Sequence, residues 1–335
     1  MRKLRGLIVI GLLFASNLVA VDQAKAALYA FTSHTFTACG ATGISGPSLS
    51  ACTTSYSGAS WASSTSNFNV TGGIQSWTVP ATGTYTLDVY GAAGGKASTY
   101  SYTPGQGSRV QMTVSLTEGN VIKILVGQPG GAFSHTGGGG GGTFVYNQTT
   151  TTLIAAAGGG GGSGGDSTNG CDATLTTTGG SCSVSGYTGG TNGAGGNGAA
   201  GNGWGSSGAG YSGNGTGAAN ATWTFSSGTN PYSFLNGGTG ASQGGSNPNA
   251  SCNGAWGGFG GGGSGACNGG GGGGGYSGGG SGGGGGASYL TGTATSSSVI
   301  SGTTPAKVIV TATTPIVSDA TPPVITGPGN ATGST

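Results

Sequence analysis

Charge is what this chain most conspicuously lacks. Of its 335 residues, eight are Lys or Arg, six are Asp or Glu and two are His, so charged side chains make up 4%. An active site built from paired carboxylates, or a basic footprint for nucleic acid, needs more than this. Half of the basic residues (Arg2, Lys3, Arg5 and Lys25) stand ahead of residue 27, and removing them together with Asp22 takes the formal charge from +2 to −1. The remaining cations, Lys96, Arg109, Lys123 and Lys307, are too scattered to neutralise a phosphate backbone, which sets nucleic acid aside as a partner. Sustained helical periodicity is also missing beyond the N-terminal apolar stretch, which argues against an all-α fold.

What is present begins with an export signal. The basic start, the apolar run from Leu7 to Ala20 and the small-x-small triplet Ala24-Lys25-Ala26 read as a cleavable secretory leader over residues 1–26. A secreted or cell-surface location follows, with no transmembrane segment expected in the mature chain. Six cysteines in an exported chain imply disulfides, for which fifteen connectivities are formally open. Short spacing favours the local pairs Cys39–Cys52, Cys171–Cys182 and Cys252–Cys267. Zinc is disfavoured, because no closely spaced Cys pair or His ligand pattern occurs.

Strand signals flank the middle of the chain. Thr84–Tyr90 alternates Tyr85, Leu87 and Val89 against Thr84, Thr86 and Asp88, the period of a strand with one buried face. Arg109–Leu116, Val121–Val126, Thr143–Tyr146, Leu153–Ala156, Ala287–Leu290 and Lys307–Thr311 read likewise, and together they predict an all-β sandwich or barrel. The last of these is expected to return and pair with the first half of the chain.

Between the flanks lies the glycine. It supplies 83 residues, and its runs concentrate between positions 130 and 286. A glycine tract loses more backbone entropy on ordering than any other, about 1–2 kcal/mol per residue. Ordering therefore requires dense hydrogen bonding and cross-links. Extended threefold helices, which form no internal hydrogen bonds, can bond side by side when no side chain separates them. A bundle of such polyglycine II helices, inserted at about 130–286 into a domain spanning 27–312, is the expectation. A Pro/Thr segment over 313–335 reads as a linker towards a missing immunoglobulin-like or cadherin-like repeat.

Several segments in order carry a family likeness: ACGATGISG at 38–46, GIQSWTVPATGTYTLDVYGAAGG at 73–95, Ile124 to Gln128, the run Gly137 to Gly142 followed by Thr143-Phe144-Val145, and Leu153 to Gly161. Over roughly Phe36 to Ala312 they resemble the extracellular glycine-rich region of the anaplastic lymphoma kinase and leukocyte tyrosine kinase receptor family. The resemblance implies a tumour-necrosis-factor-like β-sandwich carrying an inserted polyglycine II bundle, and a region that binds small protein ligands. It does not imply a kinase, since no catalytic-loop or nucleotide-binding signature occurs in the chain.

Motifs that suggest chemistry fail on context. Gly161-Gly-Ser163-Gly-Gly165 and the equivalent pattern around Ser281 match a nucleophile elbow, but neither precedes a helix or has a partnering His and acid. Asp88, Glu118, Asp166, Asp172 and Asp319 form no recognisable carboxylate pair. The run Gly161 to Asp166 opens like a calcium-binding nonapeptide, yet it occurs once, so Asp166 is a weak metal candidate and a loop acid by preference. No catalytic residue and no cofactor are expected.

The block also carries aromatics. Trp204, Tyr211, Trp223, Tyr232 and Trp256 either pack on glycine surfaces or contact a ligand. The resulting expectation is a non-catalytic binding or adhesion module at the N-terminal tip of a longer surface protein, whose partner is a protein or a cell-surface glycan. A stiff secreted spacer is the alternative, and an ice-binding protein a more distant one.

Overall fold

The computed structural model describes residues 26–165, 169–182, 187–198, 205–217, 229–243, 254–266, 269–292, 294–300 and 304–318. Most of the expected leader, Asp166, Trp204, Trp223, Cys252 and Cys267 lie outside these residues. Along the chain the elements are β1 (Phe31–Phe36), α1 (Leu49–Ser55), β2 (Phe68–Thr71), β3 (Ile74–Thr78), β4 (Gly83–Tyr90), β5 (Ser108–Leu116), β6 (Val121–Leu125), β7 (Thr143–Asn147), β8 (Thr152–Ala157), β9 (Tyr289–Leu290), β10 (Ser296–Val299) and β11 (Lys307–Ile316). Two antiparallel sheets result, ordered β1-β11-β4-β5-β10 and β2-β3-β6-β7-β8-β9.

Alternation in the sequence becomes the core between them. In β4 and β11 the opposed pairs Tyr85 with Ala312, Leu87 with Val310 and Val89 with Val308 all point inward and are buried. Trp77, Ile122, Ile124, Val145 and Ile154 meet them from the second sheet within one apolar cluster. Burying each such side chain contributes about 1.5–3 kcal/mol. On the outer face of the first sheet, Asp88 receives two hydrogen bonds from Arg109, at 2.8 Å each. Arg109 and Lys307 also approach the Tyr90 ring, at 5.5 Å and 4.8 Å from its centroid.

Two features depart from the sequence reading. Helix α1 is seven residues long, too short to display a helical period, and is started by the Ser48 hydroxyl accepting a bond from the Ala51 amide. A disulfide from Cys52 to Cys39 ties it to the sandwich, and a second joins Cys171 to Cys182. Strand β11 continues through Ile316, which pairs with Phe31, so regular structure extends past the boundary expected after residue 312. Edge strand β1 supplies the hydrogen-bonding partner that keeps this Pro-containing end in the sheet.

The glycine runs lie against the sandwich and against one another, and their hydrogen bonds follow a three-residue recurrence. Gly137 and Gly140 donate to Ser163 and Gly160, Gly138 and Gly141 to Gly131 and Gln128, and Gly139 and Gly142 to Gly263 and Gly260, all at 2.8–2.9 Å. The carbonyls of the same run accept in the same rhythm, Gly137 and Gly140 from Gly271 and Gly274, and Gly138 and Gly141 from Gly95 and Ala92, while Gly139 accepts from Gly258. The run is thus bonded on all sides. Segment 271–276 repeats the pattern: Gly271 and Gly274 donate to Gly137 and Gly140, Gly272 and Gly275 to Ser206 and Ala209, and Gly273 and Tyr276 to Gly284 and Ala287. A Cβ built on any of Gly137 to Gly142 would fall closer than 3.0 Å to neighbouring backbone. Absence of side chains is therefore what allows the segments to bond directly.

Candidate binding surface

The second sheet turns its other face towards the glycine-rich segments, where a smaller cluster forms from Leu125, Phe144, Leu153, Ala156, Phe234 and Phe259. At its margin the rings continue outward as a stack. Tyr146 comes from β7 and Tyr289 from β9, while Tyr211, Phe234 and Tyr276 come from the glycine-rich segments. Ring centroids lie 5.0 Å apart for Phe144 and Phe234, 5.8 Å for Phe234 and Tyr211, 6.4 Å for Tyr211 and Tyr276, and 4.6 Å for Tyr276 and Tyr289, all stacked. Burial raises the Tyr211 phenol above its ordinary pKa, and the neighbouring phenols of Tyr146, Tyr276 and Tyr289 add to the effect.

Beside it the chain presents apolar side chains to solvent. A single 3-10 turn at Phe234–Asn236 ends at Gly237, whose φ of 101° favours glycine. The turn buries Phe234 and leaves Leu235 52% exposed and Tyr232 44% exposed. Asn214 Oδ1 holds this segment by accepting from the Ser233 amide and the Asn236 side chain, at 2.9 Å each. Trp256 is 39% exposed but lies flat on Gly131, where a Cβ would fall 2.6 Å from the indole ring. Of the sequence candidates, then, Tyr211 belongs to the stack, Tyr232 is presented to solvent, and Trp256 combines packing with exposure. Tyr276 also stood out in the sequence as an aromatic among glycines, whereas Tyr146, Tyr289 and Leu235 did not. The two strand tyrosines read as ordinary sheet residues, and a single exposed Leu carries no sequence signal.

A second concave feature lies at the edge of the first sheet. The segment from Ser55 to Trp61 folds over β1 and leaves a cavity of about 380 Å³ against His34. The His34 ring stands nearly perpendicular to Phe36, Tyr56 and Trp61, with centroids 4.7, 4.4 and 4.9 Å away. Burial lowers its pKa to about 4, so the imidazole is neutral at physiological pH. Its Nε2 is buried without a hydrogen-bond partner. The Tyr56 hydroxyl accepts from the Thr37 amide and donates to Gln75 Oε1, both at 2.8 Å, which fixes one wall.

Two of the described carboxylates hold structure: Asp88 pairs with Arg109, and Asp172 accepts from the Gln106 amide at 2.7 Å. Among the described residues no cluster of three His, Cys, Asp or Glu side chains could hold a metal. Nor is any helix among them long and apolar enough to cross a membrane.

These features define a disulfide-bonded all-β sandwich with an uncharged aromatic surface. No protein-family profile matches the chain. The leukocyte tyrosine kinase receptor of Mus musculus is 38% identical over 95 residues, covering 28% of this chain and 11% of the receptor. The similarity marks a distant relationship to the extracellular region of that receptor family, and the aligned part is about a tenth of the receptor's length. The two disulfides agree with an extracellular setting.

Proposed function

We propose that this chain is a non-catalytic extracellular binding module that engages a protein or glycan on a cell surface. The similarity to the leukocyte tyrosine kinase receptor carries the reading. Exposed Tyr232 and Leu235 beside the tyrosine stack support it, because aromatic and apolar side chains set in a neutral surface suit contact with a partner. The same reading gives the domain a tumour-necrosis-factor-like sandwich with an inserted bundle of polyglycine II helices. Support for the bundle comes from the three-residue recurrence of hydrogen-bond partners along Gly137–Gly142 and 271–276.

Cell-surface pull-down and glycan arrays with the secreted chain test the proposal. Wild type is expected to retain a partner, and Tyr232→Ser with Leu235→Asp is expected to lose at least tenfold in affinity while its unfolding temperature is unchanged. Capture of nothing by the folded wild type would instead favour a structural spacer, a reading supported by the dense bonding of the glycine segments.

A further inference from the structure

The cavity beside His34 is walled by hydroxyls and neutral rings and contains no ionisable group charged at neutral pH. The residues lining it include Thr32, Ser33, Ser55, Ser60 and Trp61 together with His34. Ser33 is occupied by its bonds to the Val310 carbonyl and the Thr311 hydroxyl. The hydroxyls of Thr32, Ser55 and Ser60 make no bond among the described residues, and all three residues are exposed. At about 380 Å³ the cavity falls within the range of small-molecule sites.

The imidazole's tautomer follows from its surroundings. Nε2 is sealed among perpendicular aromatic rings with no oxygen or nitrogen partner. A lone pair there finds no donor, whereas an N–H can make a weak bond to a neighbouring ring. The proton therefore resides on Nε2. The exposed edge of the ring then carries Nδ1 as an unprotonated acceptor with no partner among the described residues.

We infer that this cavity binds a neutral saccharide residue, with a ligand hydroxyl donating to His34 Nδ1 and others bonding to Thr32, Ser55 and Ser60. A sugar matches this lining because it offers donors and acceptors together without charge, and its C–H face can rest on the apolar floor beside Trp61. A carboxylate or phosphate would find no cation here, and an extended apolar ligand would strand the hydroxyls. The site lies apart from the tyrosine stack, and its failure would leave the binding reading built on Tyr232 and Leu235 untouched.

Ligand-observed saturation-transfer NMR on the full chain, with a panel of neutral hexoses, deoxyhexoses and N-acetylhexosamines at millimolar concentration, tests the inference. Transfer is expected from at least one panel member, with glucuronate showing no advantage. His34→Phe keeps the aromatic wall and removes the acceptor, so binding should weaken about tenfold. Ser60→Ala, at an exposed position whose hydroxyl makes no bond among the described residues, should weaken it severalfold. Long-range nitrogen–proton NMR should place the His34 proton on Nε2, a readout that needs no variant. Silence across the panel, unchanged binding in both variants, or a proton on Nδ1 would each overturn the assignment.

Discussion

Replacing Gly141 with alanine probes the glycine packing where it is most constrained. The added Cβ would land on the Phe259 carbonyl, closer than 3.0 Å to both of its atoms. That obstacle is backbone, so no side-chain rotation relieves it. Gly141 also donates to the Gln128 carbonyl at 2.9 Å and accepts from the Ala92 amide at 3.1 Å. Forcing the segments apart costs about 1–3 kcal/mol as overpacking. One buried backbone group left without its partner adds about 1–3 kcal/mol, giving about 2–6 kcal/mol in all. For a domain of this size that corresponds to a fall in Tm of about 5–20 °C. Gly58→Ala is the matched control, because Gly58 is exposed and a Cβ there meets nothing within 4 Å. It should leave Tm unchanged or raise stability by about 0.4–1 kcal/mol. Scanning calorimetry on both variants decides the matter: if Gly141→Ala melts with the wild type and keeps its amide protection, the segments are not in direct contact and the reasoning is refuted.

Three further outcomes are expected. Asp88→Ala leaves the Arg109 guanidinium without its two bonds and should cost about 1–2 kcal/mol in urea unfolding, less in high salt because the arginine is partly exposed; an unchanged midpoint would count against the pair. His34 is held down to about 4 by burial, below its ordinary 6.5, so the unfolded chain takes up the proton first. Stability should be fully present above about pH 6.5, fall as pH drops towards 4 and level off below, by on the order of 1–2 kcal/mol after solvent screening; urea midpoints across that range in wild type and His34→Phe should differ in slope. Replacing Cys39 and Cys52 together by alanine opens a loop of sequence separation 13 and should cost about 3 kcal/mol, measured against reduced and oxidised wild type.

The strands of the sandwich were legible where one face is apolar and the other polar, as in β4 with Tyr85, Leu87 and Val89. Strands β1 and β2, Phe-Thr-Ser-His-Thr-Phe and Phe-Asn-Val-Thr, were less so, because their sequences mix small polar residues that serve turns equally well. Helix α1 was hidden by its length, since seven residues span two turns and its stability comes from a cap and a disulfide. In the glycine tract, composition announces that backbones can approach but says nothing of which approach which; the pairing of Gly137 with Ser163, or Gly271 with Gly137, is set by long-range chain path. The same holds for the binding surface. Tyr211 attracted notice as an aromatic among glycines, whereas its neighbours Tyr146 and Tyr289 sit in strands, where a tyrosine needs no special explanation.

The recurrence of bonding partners gives the glycine tract a reading frame. Each residue along Gly137–Gly142 faces a different flank from the one before it, and every third residue faces the same flank again. Loss or gain of three residues would shift the run along its axis and still hand each donor to its former flank. Loss of one or two would hand every subsequent donor to a flank other than its own, whose acceptors are already taken. Such tracts are thereby constrained to lengthen and shorten in threes, although nothing in the identity of the residues, all glycine, marks where one triplet ends and the next begins.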